Sequence, residues 1–131
     1  MLIVYLSTTG NIRKFVKDAK IEKSIELSYF NPLTEVNEDY VLIIPSIDDE
    51  ITDVISEFID YKNNLTYLQA VVGSGNTTFG EDGYCYNAVQ ISLKYSKPLI
   101  HKFEHSGTDI DIRIFKEEVQ KIEVARATKE G

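Results

Sequence analysis

Residues 7–11 read Ser-Thr-Thr-Gly-Asn, directly after the apolar run Leu2–Leu6. A helix that starts here presents free backbone N–H groups and the positive end of its dipole, so it attracts anions. Ser7, Thr8, Thr9 and Asn11 add side-chain donors, and Gly10 lets the backbone bend closely around a ligand. An ordinary helix cap uses one such side chain; this loop holds four. The loop contains no lysine. Neither the triphosphate pattern G-x-x-x-x-G-K-[ST] nor the dinucleotide pattern G-x-G-x-x-G follows the first apolar run. A hydroxyl-lined loop without a cation suits one terminal phosphate monoester.

Two more loops carry similar potential. Residues 73–83, Gly-Ser-Gly-Asn-Thr-Thr-Phe-Gly-Glu-Asp-Gly, follow a short apolar run. Glycines there let backbone N–H and C=O groups approach the edge of a flat heterocycle. Phe79 or Tyr84 offers an aromatic face for stacking. Residues 45–50, Pro-Ser-Ile-Asp-Asp-Glu, leave a second apolar run. Asp48 or Asp49 suits a helix cap and Glu50 complements the helix dipole, which is compatible with a ligand contact nearby.

Other chemistry is set aside. His101-Lys-Phe-Glu104-His105 matches the metalloprotease string H-x-x-E-H. That chemistry needs a helix, whereas Pro98 and the apolar context make 99–103 a strand, with the histidines ~13 Å apart. No metal site is expected. Cys85 has no second cysteine to pair with and reads as a buried thiol. The nucleophile-elbow pattern G-x-S-x-G fails, because Val72 stands two residues before Ser74.

The elements that must hold these loops alternate. Strands are expected at 2–6, 25–27, 40–44, 69–72 and 99–103. Helical stripes run through Ile12, Phe15, Val16 and Ala19; Ile51, Val54, Ile55, Phe58 and Ile59; Tyr84, Ala88, Ile91 and Tyr95; and Ile112, Phe115, Val119 and Ile122. Thr108-x-x-Asp111 has the form of a capping box before the last of them. Asn31-Pro32 and an acidic stretch leave the helix between the second and third strands short or missing. Strands alternating with helices give an α/β protein with a parallel sheet covered on both faces. Five strands favour the flavodoxin-like three-layer order 2-1-3-4-5, with ligands at the carboxyl ends of the strands. One domain is expected over residues 1–124. Residues 125–131 have no apolar pattern and are expected to fray.

The chain has 131 residues, a net charge of −7 and a pI near 4.8. Such an acidic surface argues against sequence-independent nucleic-acid binding, which depends on Lys and Arg. No apolar run approaches the ~20 residues of a membrane span. A single cysteine and an uncharged apolar start point to a reducing, cytoplasmic setting.

Taken together, Ser7, Thr9, Gly10 and Asn11 followed by Arg13 and Phe15-Val16, the Ser74-Gly75-Asn76 with Phe79 and Gly80, and the stretch Lys97 to Thr108 resemble the NrdI family. This family comprises flavodoxin-like activators of class Ib ribonucleotide reductase. The resemblance implies FMN as cofactor, a flavodoxin- or thioredoxin-type reductase as electron donor, and molecular oxygen as co-reactant. It implies an accessory redox role: a flavin-derived oxidant, superoxide or peroxide, passes to the dimetal site of the reductase's small subunit. By position, Ser7, Thr8, Thr9, Gly10, Asn11 and Ile12 would hold the phosphate. Pro45, Ser46 and Ile47 would line one ring edge, and Ser74, Gly75, Asn76, Phe79 and Gly80 the other. The loop after the third strand departs from the family pattern, with no glycine and three carboxylates. Carboxylates beside the ring disfavour an anionic reduced flavin, so a weakly stabilised one-electron state and a low potential are expected. An electron-shuttling flavodoxin with another acceptor and a cofactor-free binding domain are the alternatives.

Overall fold

A computed structural model describes residues 1–130, apart from the side chains of residues 79, 81, 82, 129 and 130. Five strands, β1 (Leu2–Leu6), β2 (Ser24–Leu27), β3 (Tyr40–Pro45), β4 (Leu68–Gly75) and β5 (Leu99–Glu104), form one sheet in the order β2-β1-β3-β4-β5. Every neighbouring pair is parallel, with Val4 opposite both Ile25 and Leu42 and Leu42 opposite Val71. Helices α1 (Asn11–Asp18), α2 (Asp49–Asp60), α3 (Asn64–Tyr67), α4 (Gly80–Gly83), α5 (Tyr86–Tyr95) and α6 (Asp109–Glu130) complete the chain.

The alternation of side chains along a strand divides the core in two. Val4, Leu6, Leu42, Ile44 and Val71 face α2 and α5, where Ile55, Phe58, Ala88 and Ile91 close over them. Ile3, Tyr5, Val41, Ile43 and Val72 face α1 and α6. On that side Phe15 of α1 stacks on Phe103 of β5, centroids 4.2 Å apart, and meets Phe115 of α6 edge-on at 5.3 Å. Aromatic pairs in these arrangements add to what burial alone provides. β1 and β3 are buried along their full length, which is why their sequences run apolar without alternating.

No helix joins β2 to β3. Residues 28–39 instead follow an irregular path, tied down by Asn64. The fully buried Asn64 accepts from the Val36 N–H and donates to the carbonyls of Thr34 and Phe58, all at 2.8 Å. Its own carbonyl accepts from the Tyr40 hydroxyl at 2.9 Å. These bonds supply the partners that a crossover helix would otherwise give the backbone.

Three boundaries differ from the sequence expectation. β4 continues past Val72 to Gly75, because Gly73, Ser74 and Gly75 pair with Lys102, Phe103 and Glu104. The following loop folds into a 3-10 turn, Thr77–Phe79, and the short α4. At the C-terminus, α6 runs on through Ala125 to Glu130 where no element was expected. Ala125, Arg126 and Ala127 are strong helix formers with no breaker among them, and Arg126 pairs with Asp39. The capping box forms: the Asp111 carboxylate accepts from the Thr108 N–H at 2.8 Å, and the Asp111 N–H donates to the Thr108 hydroxyl at 3.2 Å.

Candidate functional site

The loops after β1, β3 and β4 meet in a cleft of about 130 Å³ at the carboxyl ends of the strands. From the first loop, Ser7, Thr8, Thr9, Asn11 and Ile12 line it. Gly10 makes the turn at φ +90° and stands at the N-cap of α1 without a side-chain cap of its own. Ser7 Oγ accepts from the Arg13 N–H at 3.2 Å, and the Gly10 carbonyl accepts from the Lys14 N–H at 3.0 Å. Thr8 and Thr9 remain exposed. The nearest cation is already paired: Arg13 makes a two-pronged pair with Glu26 of β2, at 2.8 and 2.6 Å, and its remaining nitrogen, Nη1, lies 3.8 Å from where a Cβ on Gly10 would be. The hydrogen bond from Arg13 holds the Glu26 carboxyl below the usual carboxylate range, against a smaller opposing effect of burial.

The wall after β3 is Pro45, Ser46 and Ile47. The Ser46 hydroxyl is buried and has no hydrogen-bond partner among the described residues. Asp48 caps α2 by accepting from the Glu50 N–H at 3.1 Å, as its place in the sequence suggested. The Glu50 carboxylate accepts from the Tyr29 hydroxyl at 2.5 Å. Asp48, Asp49 and Glu50 are absent from the cleft lining. Asp48 borders instead a wider neighbouring groove that shares Ser7, Thr8 and Ile47 with the cleft.

The wall after β4 is Ser74, Gly75 and Asn76. Ser74 donates its hydroxyl to the His105 carbonyl at 2.7 Å, and His105 donates its N–H to the Gly75 carbonyl at 3.1 Å. Asn76 accepts from the Thr78 N–H at 2.8 Å and caps the 3-10 turn. The glycines on this strand also serve packing. A Cβ on Gly73 would lie 2.8 Å from those of Ala88 and Cys85, and one on Gly75 would lie 3.0 Å from the Cys85 nitrogen. They let the start of α5 press onto β4, while Gly75 also lines the cleft.

Three expected residues lie outside the lining: Gly10, which shapes the first loop from behind it, Gly80 and Tyr84. Gly80 adopts φ +80° in open space, beyond the cleft. Tyr84 packs against the α2–α5 side of the core, with the Lys102 ammonium 5.6 Å from its ring centroid. Burial pushes the Tyr84 phenol up to about 12 and the Cys85 thiol up to about 11. Phe79, proposed for stacking, has a side chain outside the described residues. His105 is a lining residue that sequence reasoning missed, because it was weighed only as a metal ligand. Its place just after the last strand was the available signal. His101 pairs instead with Asp111 at 2.8 Å, and among the described residues no cluster of three His, Cys, Asp or Glu could hold a metal.

Beside the cleft lies a wider groove of about 650 Å³, where the irregular segment after β2 replaces a helix. Ser7, Thr8 and Ile47 border both spaces, and Phe30 stands 93% exposed in the groove wall.

A parallel sheet in this strand order, helices on both faces and a cleft at its carboxyl end define a flavodoxin-like α/β protein. Solved structures share the fold. One is a short-chain flavodoxin associated with a non-canonical PDU bacterial microcompartment, with TM-score 0.61 and 19% identity over 95% of this chain and 97% of that one. Another is oxidised flavodoxin 2 from Bacillus cereus, with TM-score 0.60 and 18% identity over 98% and 97%. A third is Fusobacterium nucleatum flavodoxin bound to flavin mononucleotide, with TM-score 0.57 and 13% identity over 95% and 96%. The family model described as NrdI flavodoxin-like matches residues 3–117, and the chain belongs to that family.

Proposed function

We propose that the cleft binds FMN and that the loaded protein delivers a flavin-derived oxidant to the dimetal site of a class Ib ribonucleotide reductase small subunit. The observation that carries this reading is the convergence of the three loops on one cleft at the N-terminus of α1. Two features suit the ligand. The start of α1 offers backbone donors beside exposed Thr8 and Thr9 without a competing lysine, which fits a phosphate monoester. The buried Ser46 hydroxyl lacks a partner, a deficit of about 1–3 kcal/mol that a polar ring edge can relieve.

In this reading Ser7, Thr8, Thr9, Gly10, Asn11 and Ile12 hold the phosphate. Pro45, Ser46 and Ile47 border one ring edge, and Ser74, Gly75, Asn76 and His105 the other. Phe79 and Gly80 are assigned to covering the ring from the loop after β4; Tyr84 is left to packing. Bound FMN, once reduced, supplies superoxide or peroxide from molecular oxygen, while the chain sets its position, surroundings and access. A flavodoxin- or thioredoxin-type reductase is the matching electron donor. The setting is the cytoplasm, and the described helices include none long and apolar enough to cross a membrane.

The test has two stages. FMN added to the purified protein should give a stoichiometric complex absorbing near ~450 nm. The reduced complex, mixed with a manganese-loaded class Ib small subunit under oxygen, should generate the active cofactor. A yellow protein that cannot activate the subunit leaves the second reading, an electron shuttle to another acceptor, which the glycine-free loop after β3 favours. A protein that ignores FMN overturns both.

A further inference from the structure

We propose that Asn87 is a positioning residue of the cleft. It clamps the backbone after β3 onto α5 and confines that loop's freedom to the single peptide between Ile47 and Asp48. The inference rests on the reading of the cleft as a flavin site, and deepens it.

Asn87 is 1% exposed on the first turn of α5. Its Oδ1 accepts from the Ile47 N–H at 3.1 Å. Its Nδ2 donates to the Asp48 carbonyl at 2.7 Å and to the Thr52 hydroxyl at 2.9 Å. Thr52 donates onward to Gln90 Oε1 at 2.5 Å. The direction of the amide is thereby fixed: turned over, its oxygen would face the Asp48 carbonyl and leave two acceptors opposed. Both donors and the acceptor of one buried side chain are satisfied, and such networks rigidify what they join.

The two backbone groups it holds belong to different peptides. The Ile47 N–H is part of the 46–47 peptide, and the Asp48 carbonyl part of the 48–49 peptide. Turning either one breaks a bond to Asn87 and strands a buried amide group. The peptide between them carries the Ile47 carbonyl and the Asp48 N–H. Neither has a partner among the described residues. Ile47 lines the cleft, so these two groups are backbone positions of this loop available to a ligand there. A loop without glycine thus has one pivot with fixed flanks, and α5 carries the clamp across from the opposite wall.

The test begins with flavin-free protein, by residue-resolved amide exchange. The Ile47 N–H should be protected in the wild type. Asn87→Leu, close in volume, should speed exchange at Ile47 about tenfold while amides of β1 and β3 hold their rates. Asn87→Asp keeps an acceptor and should keep Ile47 protected, which preserves the test if the leucine variant does not fold. With FMN bound, both variants should shift the equilibrium among the three oxidation levels of the flavin about tenfold. An unprotected Ile47 in the wild type, or uniform acceleration of all amides in Asn87→Leu, overturns the clamp. So does an unchanged oxidation-level equilibrium. If wild-type protein binds no FMN, the cleft assignment fails, and the exchange pattern alone then decides the clamp.

Discussion

Asn64 and Asn87 are both almost fully buried, and each ties irregular backbone to a helix with three side-chain hydrogen bonds. They sit at opposite ends of the sheet. Asn64 lies beside the starts of β3 and β4 and replaces a missing helix. Asn87 lies beyond the end of β3 and holds a cleft wall. The physical device is one and the same, a fully satisfied amide in a low-dielectric interior. What differs is what the held backbone borders. At one end it borders the core and the protein surface, away from the cleft, so the device sets stability. At the other it borders the cleft, so the device sets shape.

Breaking the first partner gives the largest effect. Asn64→Leu strands the Val36 N–H and two carbonyls and should cost about 3 kcal/mol in urea unfolding, with FMN affinity of the folded protein unchanged. A matching loss of FMN affinity would erase the contrast with Asn87. Gly73→Ala comes next, because its Cβ would lie 2.8 Å from two neighbours at the start of α5. It should cost about 2 kcal/mol by the same measurement, and unchanged stability would return that glycine to a role in the cleft.

Asp111→Asn sharpens the comparison away from both ends of the contrast. Burial pushes the Asp111 carboxyl up, but hydrogen bonds from Thr108 and His101 outweigh it and leave the carboxyl below its ordinary value. A carboxyl lowered in the folded state stabilises above the unfolded value and stops doing so as pH falls through the folded one. The wild type should therefore lose stability on acidification below about pH 4 more steeply than the asparagine variant. Loss of the cap itself should cost about 1 kcal/mol at neutral pH. The smallest effect belongs to Phe30→Ser in the groove. A side chain 93% exposed contributes little to folding, and the change should stay within about 0.5 kcal/mol.

The sheet was legible because β1 and β3 carry unbroken apolar runs and the helices carry regular stripes, so burial wrote itself into periodicity. The gap between β2 and β3 was legible from Asn31-Pro32. What replaced the helix was not, since a polar residue such as Asn64 or Asn87 gives no periodic sign of being buried. The glycines of β4 were visible, but their packing role lay in Cys85 and Ala88, brought near only by the fold. Most of the expected cleft residues fell along three strand ends, because chain topology places those ends together. Tyr84 did not, because helical spacing and a stacking role were both open to it and packing decided.

The pairing of Arg13 with Glu26 bears on how an anion would be held beside it. With that guanidinium engaged, attraction at the start of α1 comes from oriented dipoles and hydroxyls, which act over short range, and not from net positive charge. Salt screens the dipole's pull but weakens direct, partly buried hydrogen bonds from hydroxyls and N–H groups less than it weakens a contact with an exposed cation. Retention of a phosphate ester should accordingly survive high ionic strength, and a grip that slackens sharply as salt is added would show that a free cation takes part after all.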